Sequence, residues 1–309
     1  MKWIYPSLRA VIVISISFMT AFAQEKFIEV ITPQDNVLQS ELTLNVVTKI
    51  DKKGVDALKI TTALEQINID IKSQRETECK NISLRLGENR VIIRAYKNGV
   101  LVDEKTRDVY VYSQLYHQFK YPPQKYSKNY FHTDTNEKSC VKCHDMSVNE
   151  VKGVAFEDIT KSNCYGCHKN ITKEKYAHAP AANWLCTSCH SKKNQSKYIA
   201  PEPVNHSCLE CHEENKELWS SAKYTHEPLD SGDCNRCHNP HSSPHKMFLR
   251  KPVNEICLGC HKDKDIQTQQ IKNSACSGNS NGELCINCHT PHASNQPFFL
   301  KKIAKKAAK

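Results

Sequence analysis

Cys234-Asn235-Arg236-Cys237-His238-Asn239-Pro240-His241 is the stretch that decides how this chain is read. Two thiols stand three residues apart, an imidazole follows the second directly, and another imidazole comes three residues later. The five-residue core of that stretch recurs seven times and uses fourteen of the sixteen cysteines. The copies are Cys140-Cys143-His144, Cys164-Cys167-His168, Cys186-Cys189-His190, Cys208-Cys211-His212, Cys234-Cys237-His238, Cys257-Cys260-His261 and Cys285-Cys288-His289. They are called the first to seventh motifs below.

Zinc needs four ligands converging from two pairs, and its geometry demands no histidine after each pair. Disulfides need no histidine at all, yet here it is present in every copy. The pattern is that of c-type haem attachment: two thiols bond the porphyrin vinyl groups and the adjacent imidazole becomes the proximal iron ligand. Seven covalently bound haem c groups are therefore the expected cofactors. With so many in so few residues, each haem's apolar faces must supply what would otherwise be protein core.

First cysteines fall every 22–28 residues, but alternate motifs share more than adjacent ones do. Tyr130-Phe131-His132, Tyr176-Ala177-His178 and Tyr224-Thr225-His226 each place a histidine eight residues before the first cysteine of the first, third and fifth motifs. A tandem unit of two motifs explains this better than independent sites. Eight histidines remain after the proximal ones. His132, His178, His206, His226, His241, His245 and His292 lie within the motif region and are the expected distal ligands, whereas His117 stands in the connector before it. Met146 and Met247 are further axial candidates. Before the seventh motif the expected Tyr-x-His is missing, and Cys276 stands nine residues ahead of Cys285. That cysteine is either a free or bridged thiol or an axial thiolate.

The run from His226 through His241 to Cys257-Leu258-Gly259-Cys260-His261 resembles the doubled Cys-x-x-Cys-His motif of multihaem cytochromes. The resemblance covers roughly residues 130–295 and implies closely packed haems, mostly with two histidine ligands, in respiratory electron transfer. Its implied partners are redox proteins acting as donor and acceptor.

The chain ahead of the motifs has a different composition. Lys2 and Arg9, the apolar run from Ala10 to Met19 and the small residues of Ala21-Phe22-Ala23 read as a secretory signal over 1–23. An exported protein, periplasmic or at the cell surface, is expected, with no membrane-spanning segment after cleavage. Residues 24–112 alternate apolar and polar side chains in short runs at Phe27–Ile31, Leu42–Thr48, Ile67–Ile71, Ile82–Leu86, Val91–Tyr96 and Asp108–Tyr112. Gly87-Glu88-Asn89 and Asn98-Gly99 read as turns between them. The stretch from Ile82 to Tyr96 is similar to a strand pair of bacterial immunoglobulin-like domains.

The fold class expected is thus two-part: a small antiparallel β-sandwich, then a haem-packed, mostly irregular domain with short α-helices. Its segments are a β-sandwich over 24–112, a Tyr/Pro linker over 113–131, a heptahaem domain over 132–299 and a basic tail over 300–309. Polar stretches at Lys169–Lys175, Glu213–Trp219 and Lys262–Lys272 are the candidate helices, and Cys79 is expected to be a buried thiol.

Net charge is +10, carried by the motif half and its lysine tail. Fourteen haem propionates would cancel that excess, so the basicity does not point to nucleic acid. Three functions fit these features. One is an electron carrier with both axial positions of each iron filled. Another is an oxidoreductase with an open or Cys276-ligated last haem. The third is the subunit of a conducting filament or other homo-oligomer. None of the motifs ends in Cys-Lys, the form typical of the catalytic haem in multihaem nitrite reductases.

Overall fold

The computed structural model describes residues 26–71, 76–190, 197–261 and 285–301. Nine strands make up the first half: β1 (Ile28–Thr32), β2 (Val37–Gln39), β3 (Thr43–Ile50), β4 (Ala57–Thr61), β5 (Gln66–Asp70), β6 (Thr77–Ser83), β7 (Gly87–Lys97), β8 (Val100–Val111) and β9 (Ser127–Lys128). They form a three-stranded sheet, β1-β3-β6, and a six-stranded sheet, β5-β4-β7-β8-β2-β9. The two sheets enclose one core. β7 shows why: Val91, Ile93 and Ala95 alternate with the half-buried Ile92 and Arg94 and are wholly buried, meeting Val46 and Ile82 of the other sheet.

Asp103 ties the sheets together. Its buried carboxylate accepts the N–H groups of Phe27 (3.0 Å) and Ile28 (3.1 Å) and the Lys105 ammonium, beside a bulge in the β7–β8 ladder. The β7–β8 turn is Asn98-Gly99, both at positive φ, as a tight hairpin requires.

The strand boundaries depart from the sequence pattern in one place that matters. Ile82–Tyr96 is not a hairpin: β6 pairs with β3, while β7 pairs with β4 and β8. Gly87, at φ +86°, opens β7 where the chain crosses from one sheet to the other. The Asn89 side chain fixes that crossing, accepting from Arg85 N–H (2.9 Å) and donating to the carbonyls of Arg85 (2.8 Å) and Gly87 (2.9 Å). A sheet-crossing corner and a hairpin share the same glycine and asparagine, so local pattern does not separate them. The sandwich is also not wholly antiparallel, because β2 runs parallel to both β8 and β9.

β9 comes from the Tyr/Pro segment expected to be an extended linker. There Tyr126 is buried against Tyr110, with ring centroids 5.3 Å apart, and donates its hydroxyl hydrogen to Glu88 at 3.2 Å. Leu115 is buried as well. The segment docks on the sandwich rather than leaving it. Cys79 is surface-exposed on β6, contrary to the buried thiol expected.

From residue 132 onward the described chain consists of short helices, single turns and loops, as the sequence implies. α-Helices include Asp134–Glu137, Tyr165–His168, Ala179–Ala182, Asn205–Leu209, Glu213–Ser220, Glu227–Asp230 and Val253–Cys260. Of the candidate helices, Glu213–Ser220 is one, Lys169–Thr172 is a 3-10 turn, and Lys262–Lys272 lies outside the described residues. No helix among the described residues is long and apolar enough to cross a membrane.

Candidate haem sites

Each described motif turns back on itself within one helical turn. The histidine N–H donates to the carbonyl of the first cysteine in all seven, at 2.8–3.1 Å. This turn brings two thiols and an imidazole, spread over five residues, to one side of the backbone. First cysteines also meet across motifs: Cys164 with Cys186, Cys208 with Cys234, and Cys257 with Cys285.

Five pairs of imidazoles face one another. Centroid separations are 6.1 Å for His132–His168, 6.3 Å for His178–His212, 6.0 Å for His190–His241, 6.1 Å for His226–His261 and 6.0 Å for His238–His292. Ring planes lie 14–34° apart. Aromatic pairs in general fall in this range of distance, so separation alone decides nothing. Composition decides more: every pair joins a motif histidine to a histidine outside the motifs. Two metal–imidazole bonds of about 2 Å, on opposite sides of one ion, set the centroids about 6 Å apart. These residues therefore fit a six-coordinate haem iron.

The ring nitrogens are sorted accordingly. Nδ1–H donates to the Tyr198 carbonyl from His190 (2.7 Å), to that of Met247 from His238 (2.8 Å) and to that of Phe298 from His289 (2.8 Å). On the other side, His178 Nδ1–H donates to the Pro240 carbonyl (3.0 Å), His226 to that of Pro291, and His132 to the Glu137 carboxylate (3.1 Å). With Nδ1 so engaged, the lone pair sits on Nε2, which is the metal-binding tautomer. His241 differs, since its Nδ1 is buried without a hydrogen-bond partner. Burial, followed by the neighbouring histidines His132, His190 and His241, pulls His168 down to about 4. Burial and then His238 and His226 do the same to His292, also to about 4. Both are neutral at neutral pH, the form that binds a metal.

Tyr198, Met247 and Phe298, the carbonyls that receive these bonds, are all at positive φ (62°, 56° and 56°). The left-handed turn costs a non-glycine residue about 1–3 kcal/mol, and here it aims a carbonyl back at a motif imidazole. Met247 thus contributes its backbone; its side chain is exposed, and Phe298 takes its place in the seventh motif. The same loops supply aromatic rings to the non-motif histidines of other sites: Tyr198 to His132 (5.1 Å), Phe248 to His178 (5.2 Å) and Phe299 to His226 (5.4 Å).

Two-stranded ribbons connect the units. β10 (Tyr176–Ala177) pairs with β12 (Ser242–Ser243), and β11 (Tyr224–Thr225) pairs with β13 (Ala293–Ser294). They set Tyr-x-His of one unit against the Cys-His-x-Pro-His of the next. The upstream histidine of each unit consequently faces the second motif of that unit, not the motif that directly follows it. His241 and His292 face the first motif of the preceding unit. Among the described residues, His206 and His245 face no motif histidine. The side chain of His117 and all of Cys276 lie outside the described residues.

Sequence misses several residues here. The carbonyl-bearing loops and their aromatics carry no recognisable code, except that Met247-Phe248 and Phe298-Phe299 occupy the same place in two units. Glu137 could have been noticed only as a carboxylate five residues after His132. It is buried, and Lys197 bridges it (2.8 Å) to Asp134.

Residues 226–266 and 278–308 match the family described as the doubled CXXCH motif. That match supports a multihaem c-type cytochrome. Doubled motifs of this kind indicate covalently bound haem c, and electron transfer is the function they serve. No curated protein matches the chain. Among solved structures, it is similar to the sulfur carrier protein SoxY from Chlorobium limicola f thiosulfatophilum, at 12% identity over 28% of this chain and 80% of that one, TM-score 0.24. A fibronectin(III)-like module structure of Clostridium thermocellum CbhA is 14% identical over 27% of this chain and 88% of that one, TM-score 0.18. An FMN-binding beta-glucuronidase from Facaelibacterium prausnitzii L2-6 is 10% identical over 35% of this chain, TM-score 0.23, and the chain spans only 14% of its length.

Proposed function

We propose that this chain is an exported heptahaem cytochrome that relays electrons between redox proteins outside the cytoplasm. The observation that carries this reading is the pairing of five motif histidines with five non-motif histidines at one separation. On it, the second to sixth irons take distal ligands His132, His241, His178, His292 and His226 respectively. Bound haem supplies the one-electron ferric–ferrous couple. The chain fills both axial positions, which leaves no place for a substrate at those irons and makes spacing and tuning its task.

The order of the sites supports a single path. Cysteine contacts join the second to the third motif, the fourth to the fifth and the sixth to the seventh. Ribbons join the third to the fourth and the fifth to the sixth. Neighbours in sequence are neighbours in space along the whole run. Glu137 on His132, peptide carbonyls on His178 and His226 and no partner on His241 give the imidazoles unequal basicity, a means of setting unequal potentials.

Pyridine haemochrome assay of the purified protein should give seven haems per chain, and EPR of the oxidised form should be dominated by low-spin bis-histidine signals. Fewer than seven haems, or a mainly high-spin spectrum, would overturn the proposal.

A further inference from the structure

We infer that the first motif, Cys140-Cys143-His144, holds an iron with no second histidine from its own chain, and that this iron accepts a small exogenous Lewis base. The inference rests on the relay reading above and adds one ligand-accepting position to it.

Two rules of ligand supply emerge from the paired rings. A Tyr-x-His histidine serves the second motif of its own unit: His132 faces His168, His178 faces His212, and His226 faces His261. The histidine three residues after a motif serves the first motif of the unit before: His241 faces His190 and His292 faces His238. Under the second rule, the first motif must draw its ligand from the residue three after His190. That residue is Lys193, not histidine. Consistently, no imidazole faces His144 among the described residues.

The leftover histidines do not repair this. His206 corresponds, in the next unit, to Glu255, and His245 corresponds to Gln296, so neither occupies a ligand position of the repeat. Both lie beside later motifs, the fourth and the fifth. His206 sits in the helix of Cys208, which meets Cys234. His245 begins the turn whose Met247 carbonyl holds His238. The backbone of His117 follows Leu115, whose carbonyl lies against Gly259 of the sixth motif. The first motif instead neighbours the second and the sandwich: Cys140 and Cys79 both lie near Cys167, and Asn45 of β3 donates to the Cys167 carbonyl at 3.0 Å. It is the terminal site of the run.

The test uses the full-length holoprotein with carbon monoxide on the reduced form and cyanide on the oxidised form as probes. Expected is carbon monoxide binding that includes the haem of the first motif, with a matching high-spin fraction in EPR that cyanide converts to low-spin. Lys193→His, which restores the repeat, should lower the number of haems that bind carbon monoxide by one, and the high-spin fraction with it. Cys140→Ser with Cys143→Ser should lower it by one too, by deleting the site, leaving six haems.

Seven low-spin haems with no carbon monoxide binding in the wild type would overturn this inference and leave the relay standing. Binding undiminished in both variants would place the open iron elsewhere and overturn it too. A haem count below seven, or a mostly high-spin wild type, would instead strike the relay reading itself.

Discussion

The His178 backbone N–H donates to the His241 carbonyl at 2.9 Å, and His226 makes the same bond to His292 at 2.9 Å. Each bond ties a histidine that faces one motif to a histidine that faces the motif before it. Two sites are thereby fixed against each other by the backbone, and a change at one histidine has a defined reach.

His241→Ala should turn one more haem high-spin, that of the third motif, and leave the rest of the spectrum as in the wild type. His206→Ala and His245→Ala should leave the EPR spectrum of the oxidised protein unchanged. A new high-spin signal from either of the latter would show that the leftover histidines are ligands after all.

Glu137→Gln should raise the potential of one haem, read by potentiometric titration followed optically. The carboxylate accepts Nδ1–H from His132 and so makes that imidazole a stronger donor to ferric iron. Burial opposes its charge, but the hydrogen bonds from Lys197 and His132 outweigh burial and hold Glu137 below its ordinary range. An unchanged set of potentials would show that Glu137 only buttresses the loop.

Met247→Leu should be silent in the visible spectrum and in the titration, because Met247 contributes a carbonyl and Phe298 stands in its place in the seventh motif. Loss of a haem signal would restore the thioether as a ligand.

Gly259→Ala puts a methyl group 2.6 Å from the Leu115 carbonyl, a contact that backbone must yield to relieve. The segment 113–131 should become more susceptible to limited proteolysis while the haem count stays constant. Unchanged digestion would mean the contact is not what holds that segment down.

Acid should weaken the sandwich. Asp103 is pushed up by burial, but Lys105 and the N–H groups of Ile28 and Phe27 bring it below its ordinary value. The Arg90 guanidinium does the same for Asp108. A carboxylate lowered in the folded state stabilises it above the unfolded pKa, and that contribution is lost as pH falls through the folded value. Denaturant midpoints should therefore fall below the ordinary carboxylate range, and less steeply in Asp103→Asn, which starts weaker. In the same assay, Ile93→Ala should cost about 2–5 kcal/mol at any pH, as removal of a fully buried side chain does.

Much of this was legible in the residues. Cys-x-x-Cys-His is a local signature, and local hydrogen bonds from histidine to the first cysteine realise it, so the attachment sites could be read directly. The alternating runs gave the sandwich for the same reason: a strand's facing is set by its own residues. The partner of His190 was not legible, because it lies in another unit and reaches its place through a two-residue ribbon. Spacing puts His178 eight residues before Cys186 but assigns it to no motif; the ribbon turns it to His212. The turn at Gly87 is a corner between sheets and not a hairpin; both need the same backbone freedom, and only pairing partners tell them apart.

The exchange of histidines between units also bears on how the molecule is made. A motif can acquire its cysteines' bonds and its proximal imidazole from five consecutive residues, whereas the imidazole that faces His190 of the third motif arrives only with residue 241 and the one that faces His238 of the fifth only with residue 292. The chain therefore closes like knitting, each row secured by the one cast after it, the third unit locking the second and the last motif locking the third. A chain ended at residue 261 would carry six attachment sites and still leave the fifth unlocked, so completeness runs one unit behind synthesis.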